Sequence, residues 1–304
     1  MSESLKGQFL CSLAMVLVGS TVVVSKVIGQ DIEPFLATAL RHAAALPVFL
    51  LLMWASGARF GRITPRDAAL LLLQAAAGSV GYSVLLIQGV SLASASDASI
   101  VAGTLPAVSA LFAVAFLGER PGIRMALSIA LATAGVMTVA MSPEASTQSH
   151  ARLQGIVWVL GAIACEAVFI LANKRLSQAM PALALSTLMC AGGLLLSAVP
   201  AWFAMQAAPS TWRTPALLGV AYYAWVPTVG GFLLWYAGSA KTSGARAALA
   251  TVWLPVSALL LSALFLGETI RTWQWLGLAC VVLAIVVASR VGQEAVTGRR
   301  LRRA

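Results

Sequence analysis

Charge is what this chain has least of. Only 10 % of its 304 residues are Asp, Glu, Lys or Arg, against roughly a quarter in soluble domains. Acidic side chains are scarcer still, 10 beside 20 basic ones. The two histidines, His42 and His150, lie far apart, and the four cysteines, Cys11, Cys165, Cys190 and Cys280, each stand alone in an apolar stretch. With no C-x-x-C pair, neither a disulfide framework nor a zinc site is indicated. The chain also lacks a Walker lysine motif, a G-x-S-x-G elbow and an H-E-x-x-H pair, so no catalytic residue, metal ligand or cofactor is expected. The connections between apolar stretches are too short to hold a soluble domain.

What fills the chain instead is hydrocarbon. Hydrophobic residues make up 60 % and the mean hydropathy is +0.90. Ten stretches approach the ~20 residues a helix needs to span a bilayer: 7–28, 34–55, 67–88, 97–117, 123–141, 155–173, 182–204, 215–237, 246–266 and 272–289. Lipid offers backbone groups no partner, so each stretch must satisfy its own donors and acceptors as a helix. A soluble helical protein would show a polar face on most segments, and these do not. The first stretch is longer than a signal-peptide core and lacks a convincing cleavage site, which makes it a retained helix.

The chain also says nearly the same thing twice. Residues 81–119 and 230–268 superpose without a gap at an offset of 149. Gly81 falls on Gly230, Gly89 on Gly238, Ser94 on Ser243, Ala98 on Ala247 and Pro106 on Pro255, and Phe116-Leu117-Gly118-Glu119 returns as Phe265-Leu266-Gly267-Glu268. Lys26, Gln30 and Pro34 find counterparts in Lys174, Gln178 and Pro181. Each copy holds five spans, an odd number, so the second must sit upside down relative to the first. Such inverted repeats suit a carrier whose central site faces either side in turn. The expected fold is an all-α integral membrane protein of ten transmembrane helices in two inverted five-helix repeats, 1–149 and 150–290, followed by a basic tail, 291–304.

Basic residues set the orientation. With the N-terminus inside, the cytoplasmic segments hold Lys6, Arg59, Arg62, Arg66, Arg120, Arg124, Lys174, Arg175, Lys241, Arg246, Arg290, Arg299, Arg300, Arg302 and Arg303, while the opposite side holds only Arg152, Arg213 and Arg271. Both termini are therefore expected in the cytoplasm. The tail Arg299-Arg300-Leu301-Arg302-Arg303 reads as a neighbour of anionic headgroups rather than of nucleic acid.

The block Ser94-Ala95-Ser96-Asp97-Ala98, Pro106 and Leu117-Gly118-Glu119 is echoed by Ser243-Gly244-Ala245-Arg246-Ala247, Pro255 and Leu266-Gly267-Glu268, with Pro34 and Arg41 in the second span. In these features the chain resembles the drug/metabolite transporter superfamily in its EamA branch, over nearly its whole length. Within that branch it is most similar, by overall likeness, to YddG-type amino-acid exporters of bacterial inner membranes. The resemblance implies a small organic metabolite as cargo and an inner-membrane location. One departure is Asp97 facing the counterpart Arg246, a pair that cannot share one role in both halves.

Glu166 is the single carboxylate in the middle of a span. It lies about twelve residues in, near the bilayer centre at a rise of about 1.5 Å per residue, where a charge is expensive and by default marks function. Helical spacing puts it on a stripe with Trp158, Ala162, Phe169 and Asn173. It is read as a contact for a substrate ammonium or as a proton-accepting group; the alternative is a neutral acid hydrogen-bonded to a neighbouring helix. Tyr82, Tyr223 and Trp253 are assigned to interior faces with Trp158, and an aromatic, mostly apolar cavity suits a zwitterion with a hydrophobic side chain. Ser99 and Thr104 join the candidate binding residues from the fourth span, where Pro106, like Pro255, removes a backbone hydrogen bond; the freed carbonyls either bind a substrate amine or are satisfied by Thr104. Gly81 and Gly230, with Pro106 and Pro255, are candidate hinges at matching depths. Lys26 and Asp97 form a candidate gate pair or two separate end charges. Arg41, two turns into its span, needs a partner, a water-filled space, or a path along which to snorkel.

The expected function is export of amino acids, aromatic and other neutral ones, by alternating access. The alternatives are export of other drugs or metabolites in the same fold and, further off, a membrane-embedded lipid-modifying enzyme or a pore. The partners are a small-molecule substrate and the lipid bilayer; energy source, direction and oligomeric state are left open.

Overall fold

The computed structural model describes residues 3–301 except 62, 118–121, 142–144, 174, 178–179, 208–209, 243–246 and 248. Among the described residues all regular structure is helical. Helix α1 runs Glu3–Ile28 and α2 Pro34–Ser56. Helix α2 starts where a proline fits the first turn: Pro34 opens it and the Glu33 carboxylate accepts from Leu36 N. It stops at Gly57, whose φ of 63° is the left-handed conformation that closes a helix. The next helix begins the same way, with Thr64 capping Asp67 N just before Pro65.

That third helix is α3 (Pro65–Gln74), a π-helical stretch (Ala75–Gly81) and α4 (Tyr82–Leu92) in one continuous rod. Its counterpart in the second half has the same construction: α10 (Thr214–Tyr223), a π stretch (Ala224–Gly231) and α11 (Phe232–Ser239). The two wide turns start 149 residues apart, the offset of the sequence repeat. Pro227, inside the second, cannot donate a backbone hydrogen bond and loosens the ladder there. The first contains no proline; its Gly78 lies so close to Phe169 that an added Cβ would meet the ring at 2.5 Å.

Between these rods lie α5 (Ala95–Ala102), α6 (Leu105–Leu117), α7 (Ile123–Ala140), α8 (Ala145–Asn173) and α9 (Ala182–Ala207); α12 (Trp253–Leu266) and α13 (Thr272–Leu301) end the chain. Eight helices among the described residues are long and apolar enough to cross a membrane. The expected span 97–117 is a broken one: α5 and α6 meet at 43°, and the break falls at Gly103-Thr104. Pro106 is consequently the second residue of α6, a position whose N–H has no helical partner in any case. The expected span 246–266 is represented by the 14-residue α12, with Pro255 in its first turn. Both prolines begin helices after a break rather than kinking continuous ones. Glu119, Lys174, Gln178 and the block 243–246 lie outside the described residues.

Helices from the two halves interleave. Helix α2 packs on α9, α7 on α13, α5 on α12, α4 on α8, and α1 on α10, α11 and α12. Two of these crossings are built alike. A Cβ on Gly89 of α4 would come within 2.9 Å of Gly155 O on α8, and one on Gly155 within 2.7 Å of Gly89 O. Gly238 of α11 and Gly7 of α1 repeat the arrangement at 2.8 Å in both directions. Small residues let backbones approach in a membrane, where dispersion and packing rather than water drive association.

Candidate functional site

The crossing of these rods leaves a cavity of about 70 Å³ at the middle of the bundle, room for roughly five waters at 10–15 Å³ each. Its walls come from both halves: Met15, Val18 and Thr21 of α1, Arg41 of α2, Gly78 and Tyr82 around the first π stretch, and Glu166, Phe169 and Ile170 of α8. Tyr223, Pro227, Thr228, Gly231, Phe232 and Trp235 close it from the second rod, with Leu105 and Thr251 beside the two helix breaks. Phe169 and Phe232 stack at 6.5 Å between ring centroids, continuing the aromatic wall to Tyr236.

Two opposite charges face this space and do not pair. No hydrogen-bond or ion-pair partner reaches the Glu166 carboxylate among the described residues. Arg41, only 6 % exposed, is held entirely by neutral groups. Its Nη2 donates to Ser79 O at 2.8 Å and to Ser83 Oγ at 2.8 Å, and its Nη1 donates to Thr228 Oγ1 at 3.2 Å. The guanidinium lies over the Tyr223 ring, 4.4 Å from its centroid. His42 Nδ1 donates to Thr38 O at 2.8 Å, which leaves Nε2 as the acceptor for Arg41 Nη2 at 3.2 Å. That pattern requires the neutral imidazole. Arg41 Nε has no partner.

Four of the expected binding residues, Glu166, Tyr82, Phe169 and Tyr223, meet in the cavity. The others do not. Trp158 is half-buried two turns from Glu166 and outside the lining, its indole nitrogen unpartnered. Ser99 is buried with its hydroxyl donated to Ala95 O, and Thr104 donates to Val101 O at 2.7 Å; each serves its own chain, and Thr104 satisfies a carbonyl at the break. Trp253 corrects the reading of an interior face. It is 49 % exposed and not part of the cavity lining, because the chain turns at Thr251-Val252 and restarts the helical phase, leaving Thr251 inside. Gly81 and Gly230 fall in the two π stretches. Thr21, Thr228, Phe232 and Trp235 join the wall without standing out in the sequence as site residues, and so does Arg41; for the two threonines and the arginine a hydroxyl or cation inside an apolar span was the available signal.

A second, larger hollow of about 700 Å³ opens at the end of the molecule where α4 meets α5 and α12 meets α13. Here the charges are saturated. Asp97 accepts from Arg152 Nε at 2.8 Å and from Gln274 Nε2 at 2.9 Å. Glu268 receives Ala95 N at 2.9 Å, Ser96 N at 2.8 Å and Ser96 Oγ at 2.6 Å, capping α5 from the other half of the chain. Lys26 Nζ donates to Ala93 O at 2.8 Å. The Lys26–Asp97 pair is therefore not formed, and neither end charge is freely solvated: Asp97 is 2 % exposed and taken by α8 and α13.

Comparison with known proteins agrees with this architecture. One solved crystal structure superposes with a TM-score of 0.65 at 18 % identity, covering 94 % of this chain and 98 % of its own, a likeness of fold alone. The chain is 33 % identical over 279 residues to the uncharacterized transporter YetK of Bacillus subtilis, covering 90 % of this chain and 84 % of that one. It is 28 % identical over 227 residues to a probable terminal-alkyne amino-acid exporter of Streptantibioticus cattleyicolor, covering 74 % of each. Protein PagO of Salmonella typhimurium is 22 % identical, with 92 % of each chain covered. The family model of EamA-like transporters matches twice, at residues 5–141 and 153–290. With both copies matched across an all-helical, multi-pass membrane chain, the protein belongs to the EamA-like transporter family.

Proposed function

We propose that this transporter exports amino acids, neutral ones including the aromatic, by alternating access between two inverted five-helix repeats. The observation that carries the reading is the unpaired Glu166 carboxylate on the aromatic wall of a cavity shared by both halves. A carboxylate at that depth without a partner is costly unless a cation arrives to meet it, and an α-ammonium is such a cation. Phe169, Tyr82, Tyr223 and Phe232 supply the apolar surface for the remainder of the substrate. The repeat division at 149/150 is supported by the paired π stretches and the paired glycine crossings. The hinges are Gly81, Gly230 and the breaks before Pro106 and Pro255. The basic residues support cytoplasmic termini and, with the family resemblance, a bacterial-type inner membrane. The relative described as an amino-acid exporter leans the substrate class the same way.

The test is counterflow in proteoliposomes. Vesicles preloaded with an unlabelled neutral amino acid should take up the labelled one faster than empty vesicles, and Glu166→Gln should lose that uptake while remaining folded, at every pH. A variant that exchanges normally but no longer responds to a pH gradient makes Glu166 a proton carrier instead. Uptake indifferent to preloading would make the protein a pore and defeat the reading. Orientation is checked separately: a cysteine at Phe60 should label only from the cytoplasm and one at Thr269 only from outside, and the reverse pattern inverts the topology.

A further inference from the structure

We infer that Arg41 is the specificity-determining residue for the substrate carboxylate, and that the same guanidinium is the tie between the two π stretches which binding must loosen. This rests on the amino-acid reading of the Glu166 cavity and adds to it the second half of the zwitterion.

The chemistry begins with an imbalance. A guanidinium inside a membrane protein normally finds a carboxylate or reaches water, and among the described residues no carboxylate bonds Arg41. It is buried, lines the cavity, and its protein partners are hydroxyls, a backbone carbonyl, an imidazole nitrogen and a π face. All of these stabilise a cation without neutralising it. Its Nε is buried with no partner, so the fork retains a donor for an incoming oxygen. A carboxylate matches a guanidinium edge with two parallel, charge-assisted bonds. Glu166 on α8 and Arg41 on α2 thus offer one anion and one cation on separate walls, the complement of an α-amino acid and not of a simple amine. Because they do not pair with each other, neither has to be displaced from the other before substrate can bind.

The placement of the fork adds a mechanical consequence. Ser79, whose carbonyl holds Nη2, lies in the first π stretch, and Thr228, whose hydroxyl holds Nη1, lies in the second. One side chain therefore joins the irregular turns of both halves. A substrate carboxylate that takes donors from the guanidinium competes with those ties, so occupying the site and freeing the rods become one event. His42, locked by Thr38 O, acts as a positioning residue that orients the fork.

The test compares matched ligands on the purified full-length transporter: L-phenylalanine, L-phenylalaninamide and 2-phenylethylamine, measured by competition in binding and by exchange in proteoliposomes. The wild type should prefer the acid over both carboxylate-free probes by about 10- to 100-fold, the range expected for hydrogen bonds to a charged group. Arg41→Gln should erase that preference by weakening the acid and leaving the amine unchanged. Arg41→Lys, which keeps charge but loses the fork, should retain only part of it and serves if the Gln variant does not fold. The proposal is overturned by a wild type that binds acid and amine alike or binds neither. It is overturned too by Arg41 variants that weaken acid and amine equally. Glu166→Gln separates this from the underlying reading. If it weakens the amine and the acid together while Arg41 variants leave the acid preference intact, the ammonium site stands and the Arg41 inference falls; if it changes neither ligand, the amino-acid reading itself has failed.

Discussion

Carboxylates in two regions of the molecule live under opposite rules. At the open end, Asp97 and Glu268 are each bound to two or more donors from elements far away in sequence. In the central cavity, Glu166 faces open space with no donor among the described residues. A charge whose bonds are all internal holds structure together; one left with none is available to something that comes and goes. The distinction is energetic, and it can be measured as stability.

The largest effect should come from Asp97→Ala. It takes the carboxylate from two donors, Arg152 Nε, on a side chain 13 % exposed, and Gln274 Nε2, and breaking one partner of a buried pair costs about 3–5 kcal/mol; unfolding in detergent should shift accordingly. Glu166→Gln, compared in the same assay, should stay within about 0.5 kcal/mol of wild type or gain stability. Equal losses for the two variants would erase the contrast and make Glu166 a structural acid. Next come the glycine crossings. Gly89→Leu and Gly238→Leu should each cost about 1–3 kcal/mol by forcing α4 from α8 and α11 from α1, and by similar amounts; a strong effect at one site alone would break the equivalence of the halves. Glu268→Gln removes the charge but not the reach of the α5 cap and should cost about 1 kcal/mol. Trp253→Ala should be the smallest, within about 0.5 kcal/mol and without effect on transport, since the side chain is 49 % exposed. Loss of transport in that variant would put Trp253 back in the site.

What the sequence made legible was whatever has a period. Apolar runs gave eight of the spans to within about five residues among the described residues, because both the width of lipid and the rise of a helix are fixed. The three-and-four spacing on 155–173 joined Glu166 to Phe169, and the 149-residue offset, which sets Tyr82 against Gly231 and Tyr223 against Gln74, matched the helix that carries Tyr82 to the one that carries Tyr223. The errors begin where the period is interrupted. Trp253 was assigned by continuing a helix through Thr251-Val252, where the chain turns instead. Ser99 is a candidate ligand contact whose hydroxyl takes its own backbone carbonyl, as hydroxyls in apolar helices can, and at Thr104 the structure takes the other of the two readings, a hydroxyl that satisfies a carbonyl at the break. The gate pair failed for another reason: the residues that take Asp97, Arg152 and Gln274, lie 55 and 177 positions away, and no local pattern encodes such a meeting. Arg41 was visible as a cation in the wrong solvent, but its supports are spread from Thr38 to Thr228.

The π stretches have one more implication, for what the protein can tolerate. A wide turn amounts to one residue inserted into an α-helix, and each residue of an α-helix turns the chain by about 100°. Helix α3 can therefore set its side chains against one set of neighbours while α4, on the same axis, aims Tyr82 in a direction a regular helix would not reach. The rod has two independent faces, divided at residues 75–81. Deleting a single residue there would restore a regular helix and leave α3 as it is, yet swing the Tyr82 phenol off the cavity wall. Within a span where every other length change should misalign a membrane-crossing helix, that short stretch is where the register of the binding face can be reset alone.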